Sequence, residues 1–158
     1  MMELLTALEN SAFPVWLREA TTVWAYPTVL TLHTAALAVL VGANAAFDLR
    51  IFGVGREIPL ARMQAFFTVM WSGFWINAVT GAMLFSVDAT TKGVATVFMF
   101  KLSFIAAGVV LMVLLRRAVY GRGRDRAIVT PAAQTCAALS LLMWTAAIFA
   151  GRLQAYLS

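Results

Sequence analysis

Four long apolar runs separated by short polar links set the pattern of this 158-residue chain. The first covers residues 23–49 and has no formally charged side chain between Val23 and Phe47. At about 1.5 Å per residue, a helix of that length crosses the roughly 30 Å hydrocarbon layer of a bilayer. Comparable runs follow at 60–86, 94–119 and 131–151. Residues 1–20 are too polar and interrupted to span. Met2, Leu4, Leu5 and Leu8 nevertheless recur at helical spacing, and Trp16 suits a membrane interface. The pattern predicts an all-α protein: a four-helix transmembrane up-down bundle with a short interfacial N-terminal helix that breaks at Pro14. The whole of 1–158 reads as a single integral membrane domain.

Helix punctuation agrees with this division. Pro27 falls in the first turns of the first span, Pro59 is placed to open the second, and Thr130-Pro131 reads as a cap and first-turn proline for the fourth. Within the spans the polar residues are not scattered. His33, Leu37, Leu40, Asn44 and Asp48 lie on one face of the first helix. Gly73, Asn77, Thr80 and Gly81 share a face of the second, where small residues permit close helix approach. Polar groups facing lipid are costly, so both faces are expected to point into the bundle.

Composition sharpens the class. The chain is 62% hydrophobic and 12% charged, far below the roughly 25% charged residues of soluble domains. The formal charge of +5 and pI near 10.2 do not point to nucleic acid, because the cations cluster at the links. Arg50, Arg56, Arg62, Arg116, Arg117, Arg122, Arg124 and Arg126 fall on one side, and Arg18, Lys92 and Arg152 on the other. The positive-inside rule then puts both termini on the outer, periplasmic side of a bacterial inner membrane. The single cysteine, Cys136, excludes an internal disulfide or a CxxC motif, and no cleavable signal is evident at the N-terminus.

The candidate chemistry lies at a common depth. His33, the one histidine, is about ten residues inside the first span, roughly 15 Å. Asn77, Lys101 and Trp144 are expected at similar depth in the outer half of their helices. Ionisable groups in such a place are functional candidates. His33 reads either as a histidine hydrogen-bonded to a neighbouring helix or as an axial ligand of haem b iron. A haem site would require a sixth ligand from Met83 or Met99, an open iron position, or a second subunit. Lys101 could snorkel to the headgroups, or pair with a haem propionate or the head of a quinone or lipid. Asn44, Asp48 and Arg50 form a structural polar cluster at the inner boundary, with Asp48 capping or pairing with Arg50, Arg62 or Arg116. Serine-hydrolase, zinc-helix, P-loop and dinucleotide signatures are not found in the sequence.

The segments LH at 32–33, DLRIFG at 48–53, TGAMLF at 80–85 and FK at 100–101 together resemble a family of small uncharacterised four-helix bacterial inner-membrane proteins. The resemblance runs over most of the chain. It implies the four-helix fold and the importance of His33, Asp48, Arg50, Gly81 and Lys101, and it implies no activity. Many members carry an acidic residue one turn before the histidine; here Thr28 to Leu32 hold none, so proton transfer is not carried over. The leading expectation is a membrane-embedded haem-binding or electron-transfer subunit using His33. The alternatives are a non-catalytic assembly or anchor subunit of a larger membrane complex, and a quinone- or lipid-binding protein without metal. Ala106-Ala107-Gly108 and Ala146-Ala147 suggest contacts in a homo-oligomer or complex.

Overall fold

The computed structural model describes residues 2–121 and 128–157, and the side chains of all but the last three of these. Arg122, Arg124 and Arg126, which weigh in the charge asymmetry, lie outside the described residues, as does Asp125. Among the described residues there are seven helices and no strand. These are α1 (Met2–Glu9), α2 (Ala12–Glu19), α3 (Tyr26–Ile51), α4 (Phe66–Ser86), α5 (Ala89–Lys92), α6 (Thr96–Tyr120) and α7 (Pro131–Leu157). A 3-10 turn, Leu60–Ala65, leads into α4.

Three helices are long and apolar enough to cross a membrane: Tyr26–Ile51, Thr96–Tyr120 and Pro131–Gln154. They make this a membrane protein. The helix α4 is 21 residues long and carries no charged side chain. Trp71, Ser72, Trp75, Asn77 and Thr80 dilute its hydropathy and keep it out of that group.

The long helices form two antiparallel hairpins, α3 with α4 and α6 with α7, joined through an α3–α7 contact. Leu40, Phe47, Met70, Met112, Leu115 and Trp144 fill the space between them. Near the loops Phe47 stands edge-on to Phe67 at 4.9 Å, Phe67 edge-on to Tyr120 at 6.1 Å, and the Tyr120 hydroxyl donates to the Leu60 carbonyl. Outward-facing Val39, Val79, Val110 and Leu142 are exposed, as lipid-facing positions should be.

Where the helices meet, small side chains set the approach. A Cβ on Gly73 would stand 3.1 Å from both the Ala36 carbonyl oxygen and the Leu40 backbone nitrogen. One on Gly108 would stand 2.9 Å from the Trp144 ring. Gly108 and Ala147 are therefore consumed in seating α6 against α7, while Ala106 stays exposed. Ala107 and Ala146 are half-buried, so that this small-residue face is only partly taken up within the chain.

The N-terminal break falls earlier than Pro14. The first helix ends at Glu9, Ser11 precedes α2 in an extended conformation, and Pro14 lies in the first turn of α2. A proline is tolerated there because that backbone N–H would be unpaired anyway. The pair α1–α2 is tied down by Glu9, whose carboxylate accepts from the Thr90 backbone N–H at 2.8 Å and its hydroxyl at 2.7 Å. At the other end, Gly53 and Gly55 adopt φ of 97° and 64°, and Arg50 donates to the Ile58 carbonyl at 2.9 Å. Those bonds fold the loop back before the 3-10 turn.

Candidate functional site

The register of the two hairpins decides which polar side chains meet. On α3 and α4, His33 faces Asn77 and Thr80, and Gly81 lies against the imidazole, so that a Cβ there would be 3.1 Å from its Cε1. On α6 and α7, the stem of Lys101 lies over Gly151, about 3.6 Å from where a Cβ would stand. The α3–α7 contact joins Asn44 to Ser140. Eleven residues from Asn44 along α3 is His33, and eleven from Ser140 along antiparallel α7 is Gly151. His33, Asn77, Thr80 and Lys101 therefore share one level. Each of the two titratable groups rests on a glycine.

Hydrogen bonding sets the imidazole tautomer. His33 Nδ1 lies 3.1 Å from the Asn77 carbonyl oxygen and 3.0 Å from Thr80 Oγ1. A carbonyl can only accept. The Thr80 hydroxyl proton is directed to the Ile76 carbonyl at 2.7 Å, which leaves a lone pair toward the ring. The carbonyl contact favours the tautomer with the hydrogen on Nδ1 and the lone pair on Nε2, and the Asn77 amide nitrogen stands 3.3 Å from Nδ1 and 3.5 Å from Nε2. Asn77 closes the arrangement from the other side, its amide donating to the His33 backbone carbonyl at 2.8 Å. Thr80, three residues after Asn77 on the small polar face, belongs to the site as fully as Asn77. Its helical spacing was the available signal.

Trp144 lies elsewhere. It packs on Gly108, seven residues and two turns from Gly151, or about 10 Å deeper. It is 2% exposed and its indole N–H has no partner. Burial without a partner costs about 1–3 kcal/mol, offset by the packing of the largest side chain in the core. Met99 does not join the site either. Two residues from Lys101, it sits about 200° around α6 and is exposed. The aromatic residues Trp24, Trp75 and Phe100 are likewise turned outward.

The inner polar cluster differs from the sequence expectation. Asp48 is wholly buried and pairs with no arginine among the described residues; it accepts from the Asn44 amide, which also donates to Ser140 Oγ at 2.7 Å. Arg50 is spent on the loop carbonyls of Ile58 and Arg56, and Arg116 stacks over Phe67 at 5.8 Å. The physical reason is helical direction. Asp48 is on the core face with Asn44, four residues away, whereas Arg50 lies about 200° around the helix. Ser140, the one serine of an alanine-rich helix, was the missing partner.

Among the described residues no three His, Cys, Asp or Glu side chains gather as a metal site. The chain matches no protein-family model, no curated protein and no solved structure, which leaves the site itself as the basis for function.

Proposed function

We propose that this chain is a four-span subunit of a bacterial inner membrane, with α4 as its fourth span and both termini outside. In this reading it binds haem b through His33 and serves electron transfer. The observation that carries the reading is the Nδ1–H bond from His33 to the Asn77 carbonyl. Ligating histidines characteristically donate their other ring N–H to a carbonyl or carboxylate, which fixes the ring and raises the basicity of the free nitrogen. The lone pair on Nε2 is what an iron centre takes.

The same tautomer weighs against a quinone. A quinone carbonyl needs a donor, and with Nδ1 occupied the histidine offers none, so that the donor would have to be Lys101. Lys101 supports a ligand with a carboxylate. It is half-buried, has no carboxylate within ion-pair distance among the described residues, and shares the level of His33. With haem bound, His33 would hold the iron and Lys101 would pair with a propionate, while the missing Cβ of Gly81 leaves space beside the imidazole. The haem would supply a one-electron iron couple. Met99 is turned away across the helix, so a second iron ligand, if there is one, would come from Met83 or from another chain.

A second reading has an observation of its own. The Asn77–His33–Thr80 knot bonds α3 to α4 without help from any ligand, as an assembly or anchor subunit would require. Titrating the purified protein with haem separates the two. Saturable growth of a Soret band, lost in His33→Ala and weakened in Lys101→Met, supports haem binding. A chain that takes up no haem, yet loses stability in His33→Ala, supports the anchor.

A further inference from the structure

A cavity of about 630 Å³ opens at the end of the molecule that carries both termini, between the α2–α3 link, the first turn of α3 and the α4–α5 corner. Its volume falls within the roughly 300–1,000 Å³ of ligand sites. Arg18, Lys92, Asp88, Thr21 and Tyr26 supply its polar lining, and Val23, Pro27 and Val87 its apolar part. Tyr26 lies two turns, or about 10 Å, along α3 from His33 on the same face. The cavity is therefore a separate place from the histidine site, and its occupant is independent of any haem bound there.

Two observations define the occupant. The link that lines the cavity is apolar and open, with Val23 and Trp24 exposed, Trp24 to 78%, and α2 before it exposes Phe13 and Trp16. Tryptophans and short amphipathic helices of this kind settle at the headgroup layer, so the cavity opens where lipid heads are. The second is the state of the charged groups. Glu9, at the cavity wall, is consumed by Thr90 and by Arg18 at 3.8 Å. Arg18, 42% exposed, keeps most of its N–H groups unused. Lys92 bonds the Leu84 carbonyl and stands 3.7 Å from Asp88, whose carboxylate is itself 42% exposed. The Arg18 guanidinium, and beside it the half-exposed Lys92–Asp88 pair at the α4–α5 corner, put donors and a carboxylate at one mouth, which suits a head of both signs.

We propose that this cavity binds a zwitterionic phospholipid head with a primary ammonium, its phosphate held by Arg18 and Lys92 and its ammonium by Asp88. Charge-assisted bonds to phosphate from a guanidinium are directional and often paired. A quaternary ammonium cannot donate to Asp88, and a purely anionic head would set its second polar end against that carboxylate. The acyl chains would run down past Val23 and Pro27.

The test is thermal unfolding of the delipidated protein in detergent with added short-chain phosphatidylethanolamine, phosphatidylglycerol, phosphatidylcholine or inorganic phosphate. Phosphatidylethanolamine should give the largest rise in Tm. Arg18→Gln and Asp88→Asn should each weaken its apparent affinity about tenfold, the value of one charge-assisted hydrogen bond. If Arg18→Gln fails to fold, Lys92→Gln replaces it, since the Glu9–Thr90 tie is then untouched. Equal or larger shifts with phosphatidylglycerol, phosphatidylcholine or phosphate overturn the proposal. So does the absence of any shift, or variants that bind as the parent does. Any haem is read separately by its visible spectrum.

Discussion

Replacing Gly73 by alanine tests whether α3 and α4 are held at the spacing on which the histidine site depends. The new Cβ would meet the Ala36 carbonyl oxygen and the Leu40 nitrogen at 3.1 Å and the Leu40 Cβ at 3.2 Å. The first two are backbone atoms of a long helix and cannot swing aside, so the helices must part by a few tenths of an ångström. Overpacking of this kind costs about 1–3 kcal/mol. Alanine also gains up to about 1 kcal/mol over glycine in a helix. Gly42 isolates that second effect, since a Cβ there meets nothing within 4 Å. Gly42→Ala is expected to be neutral or mildly stabilising, and Gly73→Ala about 1–3 kcal/mol less stable than Gly42→Ala. Reversible unfolding in mixed detergent micelles measures the difference. Two variants of equal stability would refute the close crossing, and with it the placement of His33 against Thr80.

Asp48 carries the next prediction. Asp48→Asn preserves shape and polarity beside Asn44 and Ser140 and should cost little, whereas Asp48→Ala leaves the buried Asn44 amide short of an acceptor and should cost about 1–3 kcal/mol. The same unfolding assay decides it, and equal losses would contradict the buried triad. The Glu9 tie should be pH-dependent. Hydrogen bonds from the Thr90 backbone N–H and hydroxyl hold the Glu9 carboxyl below its ordinary 4.5. A depressed carboxylate stabilises fully above its unfolded value and loses that contribution as pH falls through the folded one. Protection of residues 2–19 against hydrogen exchange, corrected for the slower intrinsic rate in acid, should fall as pH drops below about 4.5, and Glu9→Gln should show the reduced protection already at neutral pH.

The long helices were legible because a membrane span is the strongest pattern a sequence carries. The expected spans at 94–119 and 131–151 became Thr96–Tyr120 and Pro131–Leu157. The expected 60–86 is divided, because Pro59 opens a 3-10 turn before α4 begins at Phe66. Pro14 misled because its position in the first turn, where it does no harm, looks in sequence like a break. The grouping of His33 with Asn77 followed from counting depth along antiparallel helices. Counting failed for Trp144, since a span's ends are uncertain by a turn or more and α7 runs on to Leu157. Ser140 and Gly151 were out of reach for another reason. What matters about them is a neighbour on a helix distant in sequence, and one chain alone contains no record of that pairing.

The central claim is that the His33 Nε2 lone pair is kept for iron, and the protein as extracted from native-like membranes in mild detergent tests it most directly. The account predicts a Soret band with reduced-state bands of a b-type haem, absent in His33→Ala while that variant still unfolds cooperatively. A parent protein that is colourless and takes up no added haem, with His33→Ala differing from it only in stability, would contradict the claim.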